Sequence, residues 1–401
     1  DILVLDEPTN HLDQAMADWL EETLKKWKGA LIMVTHDRYF LDSVCNRIIE
    51  IDQGKIYSYD TNYEGFVALK AARAEYAAAS ERKRQSILRK ELEWVKRGAR
   101  ARSTKQKARL ERYEELKNRK APVEDGNVQM SSVHTRMGRT TVELHNLCKS
   151  YGDRKLIDDF TYIFLKGDRV GIIGDNGCGK TTLMKMIHGG VEPDSGEIVI
   201  GQTVKIGYFA QEIGEEMNPT QRVIDYIRDV AEYVQTVDGS VSASMMLERF
   251  LFEGSAQYTQ LGRLSGGERR RLYLLKVLMS APNVLILDEP TNDLDIKTLQ
   301  VLEDYLDTFS GIVITVSHDR YFLDRVVQRI FAFEGGGKLR QYEGGYSDYA
   351  LRKEVEQEAA TGAFGSLNGR GGAGGIGFGS AKGVSDTASD KKETLAEKKG
   401  R

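Results

Sequence analysis

One phrase is written twice in this chain, and it constrains the fold more than any other feature. "LVLDEPTNHLD" runs from Leu3 to Asp13, and "LILDEPTNDLD" runs from Leu285 to Asp295. The likeness continues downstream, where "GALIMVTHDRYFLD" (Gly29 to Asp42) answers to "GIVITVSHDRYFLD" (Gly311 to Asp324). A repeat of so long a period does not build a solenoid; it indicates a duplicated domain. Each copy reads as apolar strand, acidic turn, amphipathic helix, apolar strand, His-Asp-Arg turn and helix. That alternation predicts an α/β domain with a largely parallel sheet.

The second copy is the informative one, because more of its upstream sequence is present. "DRVGIIGDNGCGKTTLMKMIHG" (Asp168 to Gly189) reads as strand, glycine-rich turn and helix. It fits G-x-x-x-x-G-K-[ST] from Gly174 to Thr181. Gly174, Gly177 and Gly179 let the backbone curl around Asn176 so that amide hydrogens face inward. Such a nest, followed by a helix N-terminus that includes Thr182, suits phosphate oxygens. Lys180 can reach the β and γ phosphates, and Thr181 can ligate magnesium.

Downstream, "NVLILDEP" puts Asp288 and Glu289 at the end of an apolar strand. Asp288 is suited to hold magnesium, and Glu289 to polarise an attacking water. An acidic pair at a strand end can also merely cap the next helix; the phosphate loop upstream favours the catalytic role. "LSGGERRR" (Leu264 to Arg271) opens a helix, with Glu268 near the capping-box position. The small residues Ser265, Gly266 and Gly267 allow close approach of a second phosphate. His318 follows the apolar run "GIVITVS", and His36 is its echo in the first copy, where Asp6 and Glu7 repeat the acidic pair. Gln211 in "IGYFAQE" is a candidate for positioning water or metal, and Tyr151 in "KSYGDR" for stacking on a base.

Bulk composition excludes several classes. The net charge of -3 over 401 residues is that of no polycation, so nucleic-acid contact requires a local patch. Three scattered cysteines, Cys45, Cys148 and Cys178, outline no disulfide framework or zinc cluster. No apolar run approaches the roughly 20 residues that span a bilayer. Because "ILVL" follows at once on Asp1, the first strand reads as a buried strand lacking its upstream half, and the chain as an N-terminally truncated fragment.

Together these residues resemble an ATP-binding cassette (ABC) protein. Walker A is "GDNGCGKTT", the Q-loop contains Gln211, the signature is "LSGGE", Walker B is "LILDE", the D-loop is "TNDLD" and the switch histidine is His318. More narrowly, "LDEPTNHLD" and "LSGGERRR" resemble the ABC-F family, whose members fuse two cassettes without transmembrane domains. "DEPTNDLD" followed by "FEGGGKLRQYEGGYSDY" resembles the Uup-like branch most. The resemblance implies ATP hydrolysis with Mg2+ at head-to-tail cassette interfaces, a ribosomal partner and a cytoplasmic location. Lys180, Thr181, Gln211, Asp288, Glu289 and His318 match one half-site, and Ser265, Gly266 and Gly267 match the signature half of the other. Asp6, Glu7 and His36 match the first cassette, whose Walker A and signature are expected elsewhere in the parent chain.

Between the copies the character changes. From Glu81 to Lys120, 16 Lys and Arg stand against 6 Asp and Glu. Leu88, Leu92 and Val95, and then Leu110 and Tyr113, suggest two amphipathic helices reversing near Gly98. Lys96, Arg97, Arg100, Arg102, Lys105, Lys107 and Arg109 form an acid-free stretch suited to a phosphate backbone, with a solvated spacer as the alternative. The resemblance favours ribosomal RNA over DNA. Beyond Thr361, ten glycines within 23 residues predict a disordered tail.

The expectation is therefore an α/β protein with tandem ABC-type P-loop ATPase domains, the first partial, joined by an α-helical hairpin linker. Residues 1–65 are the end of the first domain, 66–126 the linker, 127–352 the second domain and 353–401 the tail. Rival readings are a DNA-binding ATPase of repair or recombination, the ATPase subunit of a membrane transporter, and a scaffold without turnover. The basic bridge argues against the transporter subunit, the lack of a long zinc-bearing insertion against the repair ATPase, and intact Glu289 and Lys180 against the scaffold.

Overall fold

The structure, a computed structural model, describes residues 1–10, 12, 14–52, 54–96, 113–114, 117–118, 138–211, 217–236, 239–292 and 294–367. Residues 1–351 form one compact unit.

The first copy begins with β1 (Ile2–Asp6), followed by α1 (Gln14–Lys25), β2 (Ala30–Val34) and α2 (Arg38–Val44). A hairpin of β3 (Ile48–Asp52) and β4 (Lys55–Tyr59) leads into α3 (Tyr63–Lys96). The Asn62 side chain accepts from Gly65 N at 3.2 Å, which starts this helix ahead of the boundary expected after residue 65. Its first turn packs on the first copy's hairpin, because Phe66 meets Tyr59 of β4 edge-on with ring centres 5.1 Å apart. Further along, Leu92 is exposed. The expected reversal at Gly98 lies outside the described residues, and of the second arm only 113–114 and 117–118, both helical, are described.

The second copy is longer. β5 (Val142–Tyr151) and β6 (Arg154–Phe164) form a hairpin, and β7 (Arg169–Ile173) leads through the glycine turn to α4 (Lys180–His188). β8 (Ser195–Ile200) joins the hairpin in an antiparallel sheet of order β6-β5-β8. This sheet was not legible in advance: register shifts between Leu144 and Ser150 break the period-two alternation that marks a strand. After β9 (Ile206–Phe209), a side region holds α5 (Val223–Arg228), the hairpin β10 (Tyr233–Thr236) and β11 (Gly239–Ser242), and α6 (Ala243–Arg249). α7 (Gly266–Met279), β12 (Val284–Asp288), α8 (Ile296–Thr308), β13 (Ile312–Val316) and α9 (Arg320–Val326) follow. β14 (Arg329–Phe333), β15 (Leu339–Glu343) and α10 (Tyr346–Leu367) complete the order. α10 runs on past the expected start of the tail to Leu367, carried by the helix formers that follow Leu351.

The main sheet has the order β15-β14-β7-β13-β12-β9, parallel throughout except for the β14–β15 hairpin. This is the predicted parallel sheet. β12 and β13 are buried on both faces, so alternate residues feed two cores. Leu285, Leu287 and Val313 pack with Leu275, Leu302 and Phe322; Val284, Ile286, Ile314 and Val316 pack with Phe160, Met184 and Ile187.

The repeat is structural as well as sequential. Ile2 pairs with Ala30 and Asp6 with Val34, as Val284 pairs with Ile312 and Asp288 with Val316. The expectation of a buried first strand needs correcting, however. Ile2 is 71% exposed, Val4 67%, Ile32 57% and Val34 57%. In the second copy the matching face is covered by the β6-β5-β8 side and α4, and the described first-copy residues provide no such cover.

The two copies thus offer a matched pair of substitutions. Ile286→Ala should destabilise the chain by about 2–5 kcal/mol. Val4→Ala, at the equivalent position, should change stability by no more than about 0.5 kcal/mol. Urea unfolding of the two variants measures both.

Candidate nucleotide site

The phosphate loop takes its shape from glycines where no side chain fits. Gly174 has φ of 151°, and a Cβ there would lie 2.8 Å from Phe333 Cβ. Gly179 has φ of 120°, with Leu156 Cβ 3.2 Å from the same hypothetical atom. Gly177 is also left-handed, and Asn176 is exposed at the turn. Lys180 is buried, and its Nζ donates to the carbonyls of Gly174 at 2.6 Å and Asp175 at 3.1 Å. The ammonium is therefore held over the concave side of the loop. Thr181 and Thr182 follow, half-buried, in the first turn of α4.

Asp288 ends β12 fully buried. The Thr181 and Tyr208 hydroxyls hydrogen-bond to it, the latter at 3.3 Å, while Oδ1 has no hydrogen-bond partner. Burial raises its pKa, and those hydrogen bonds and Lys180 oppose the rise. A buried oxygen without a partner, beside a threonine hydroxyl, fits the oxygen donors that magnesium takes. Among the described residues no group of three or more His, Cys, Asp or Glu could hold a metal ion, so such an ion would need phosphate oxygens as well. Gln211 completes this corner. It is exposed at the end of β9 and lines, with Thr181, Tyr208 and Asp288, a cavity of about 720 Å³.

Glu289 has left-handed backbone, φ 48°, and its amide donates to Val316 O at 2.9 Å. His318 Nε2 lies 3.2 Å from Glu289 Oε1. Burial pushes the carboxyl up to about 7, with the Asp288 charge adding to the rise and Lys180 opposing it. The first copy reproduces this arrangement. Glu7 has φ of 42°, its amide donates to Val34 O at 2.8 Å, and His36 Nε2 lies 3.6 Å from Glu7 Oε1. There the carboxylate side chain is 24% exposed, against 6% for Glu289. Burial again raises its pKa, against the pull of His36. Asp6 ends β1 beside it.

Ser265 caps α7 in the expected capping box: its amide donates to Glu268 Oε2 at 2.8 Å, and Glu268 N donates to Ser265 Oγ at 3.3 Å. Ser265, Gly266 and Gly267 are exposed, and a Cβ on Gly266 would meet nothing within 4 Å. This edge is open to a ligand. Tyr151 stands 55% exposed at the end of β5, and Lys149 Nζ is 5.5 Å from its ring centre. In the linker, Lys96 is the last residue of α3; Arg97, Arg100, Arg102, Lys105, Lys107 and Arg109 lie outside the described residues.

Arg270 was missed as a site residue. Buried in α7, it donates to the carbonyls of Ala210 (2.9 Å), Gln211 (2.5 Å) and Glu289 (3.2 Å), and its guanidinium stacks 4.5 Å over Phe209. It ties the signature helix to the Q-loop strand and the acidic turn at once. The available signal was an arginine on the same helical stripe as Leu274, Val277 and Leu278, where a charge is buried only if paired.

Known proteins resemble the chain in sequence and in fold. Two ABC transporter family profiles match the chain, one over residues 157–292 and one over 49–131. The "uncharacterized ABC transporter ATP-binding protein YfmR" of Bacillus subtilis is 53% identical over 360 residues, which is 90% of this chain and 57% of that protein. The "energy-dependent translational throttle protein EttA" of Haemophilus influenzae is 41% identical over 363 residues, 90% of this chain and 65% of that protein. The chain thus spans less than two thirds of either relative. The crystal structure of the archaeal ribosome recycling factor aABCE1 with the stalk protein aP1 matches with a TM-score of 0.57 at 20% identity, over 88% of this chain and 62% of that one. That likeness establishes the fold.

Glu289 also generates a pH-dependent stability. The native state binds its proton more tightly than the unfolded chain, so the stability it contributes is full below about pH 4.5 and is lost as pH rises through about 7. In nucleotide-free chain at pH 8, Glu289→Gln should therefore be more stable than the unsubstituted chain by up to roughly 3 kcal/mol. The gap should close near pH 4.5, which denaturant titrations across this range will measure. Kinship and fold lead to one conclusion: the chain has the mixed α/β fold of ABC ATP-binding proteins.

Proposed function

We propose that the chain is part of a soluble, cytoplasmic ABC-F ATPase that binds and hydrolyses ATP between head-to-tail cassettes and acts on the ribosome. The observation that carries hydrolysis is the buried Glu289 carboxylate held 3.2 Å from His318 beside the phosphate loop. A base poised near neutrality suits abstraction of a proton from water. In this reading Lys180 exchanges the loop carbonyls for β and γ phosphate oxygens, and the amides after Gly177 cradle them. Thr181, Asp288 and Gln211 hold Mg2+, which neutralises phosphate charge when bound. His318 orients Glu289, Tyr151 stacks on adenine, and Arg270 keeps the Gln211 and Glu289 backbones in register.

The open edge at Ser265, Gly266 and Gly267 supports a composite site, since it can receive phosphates held by another cassette. Asp6, Glu7 and His36 would serve the complementary site, with the remaining first-cassette motifs in the same parent chain. The ribosomal reading rests on the relative named as a translational throttle and on the basic linker, which falls within the profile match at 49–131. Clustered Lys and Arg suit the phosphate backbone of A-form RNA. Placement in the Uup-like branch rests on "DEPTNDLD" and its downstream segment alone.

The test uses the full-length protein with Glu7→Gln and Glu289→Gln. Co-sedimentation with 70S ribosomes is compared with duplex-DNA capture across a salt series. Retention on ribosomes only with ATP is the expected result. ATP-dependent capture by DNA without ribosome retention would replace this assignment with a DNA-maintenance role.

A further inference from the structure

The two His-Asp-Arg turns do more than repeat each other; they exchange arginines. Arg38, two residues after His36, forks onto Glu303 of α8 with Nη1–Oε2 of 3.1 Å and Nη2–Oε1 of 2.6 Å. Both side chains are buried, 3% and 0% exposed, and Arg325 Nη1 donates to the same carboxylate at 2.6 Å. The Arg38 guanidinium lies 5.3 Å from the Tyr321 ring centre. In the opposite direction, Arg320, two residues after His318, pairs with Asp18 of α1 and lies 4.4 Å from the Tyr39 ring centre. Each arginine thus stacks on the tyrosine of the other turn and bonds to the other copy's helix. Asp37 and Asp319, which lie between the histidines and the arginines, cap α2 and α9 through Phe40 N and Phe322 N, both at 3.0 Å.

The linker helix is rooted in the same cluster. Tyr63, the first residue of α3, is buried and meets Tyr321 edge-on at 6.5 Å. From there α3 extends for 34 residues, about 50 Å of rigid lever. A tilt of about 5° at its base moves its far end by about 4 Å.

We propose that this reciprocal arginine exchange is a coupling joint: Arg38, Glu303 and Tyr321 transmit the nucleotide state sensed at His318 to the first copy's switch turn and, through Tyr63, to the linker helix. The inference rests on ATP occupying the second-copy site. Displacement of His318 when a γ phosphate arrives or leaves carries Asp319, Arg320 and Tyr321 with it, because Asp319 follows His318 directly and caps the helix α9 that Arg320 and Tyr321 open. Tyr321 bears both Arg38 and Tyr63, so the linker base cannot keep its old angle. By linkage, a ligand that prefers one linker angle alters nucleotide affinity by the same factor with which nucleotide alters its own. Arg38 and Tyr63 act here as positioning residues.

The test uses the chain itself, with mant-ATP fluorescence for binding and amide hydrogen exchange for the response. ATP should change exchange across residues 63–70 by at least about fivefold. Arg38→Met and Tyr63→Ala should each reduce that ATP-induced change to less than about twofold while mant-ATP affinity stays within about threefold. Tyr63→Ala leaves the buried ion pair intact, so it decides the matter if Arg38→Met does not fold. An ATP response confined to the phosphate loop and 286–320 in the unsubstituted chain, or one persisting at 63–70 in Tyr63→Ala, overturns the joint. Failure of the unsubstituted chain to bind mant-ATP overturns the nucleotide reading on which it rests.

Discussion

The parallel pairing of β12 with β13 is the constraint on which the site depends. Both strands are buried on both faces, so their C-terminal ends are the places where polar chemistry can begin. Their register sets Asp288 opposite Val316, and the amide of Glu289 closes on the Val316 carbonyl. That bond turns the chain into the left-handed conformation at Glu289 and delivers its carboxylate to His318, just past the end of β13. A non-glycine residue held there costs about 1–2 kcal/mol. The cost recurs at Glu7, where the same bond is made to Val34, so the duplication preserved a strained geometry along with its residues.

Around that turn the protein concentrates charge it has removed from water. Asp288, Glu289 and Asp319 are all buried, and burial raises the pKa of each, to about 7 for Glu289 and about 6 for Asp319. Lys180 and Arg270 offset part of this, the first from the phosphate loop and the second from the signature helix. A site that is costly when empty is suited to a ligand bringing both anion and cation, because binding satisfies groups that folding left short. The first copy is set less tightly, with Glu7 more open to solvent than Glu289.

Much of this was readable without coordinates. The phosphate loop, the acidic strand ends, both histidines and the Ser265 capping box are local patterns, with side chain and backbone within a few residues of each other. Arg270 was harder, because its three carbonyl partners come from two other segments and its own neighbours are further arginines. The antiparallel sheet escaped because bulges interrupt its alternation. The exposed faces of β1 and β2 escaped because an apolar strand records only that it needs cover, and says nothing of whether the cover is at hand.

By itself, then, the sequence determined the elements, the repeat and the identity of the groups placed at strand ends, since hydrophobic period and glycine-dependent turns are short-range physics. Only the tertiary structure decided which of those groups meet. The union of Thr181, Gln211 and Asp288 along one cavity, the burial that lifts Glu289 toward neutrality, and the exchange of Arg38 and Arg320 between the two copies all depend on packing between segments far apart in the chain. Long-range contacts and the loss of water around a charge are properties of the assembled fold, which no local pattern encodes.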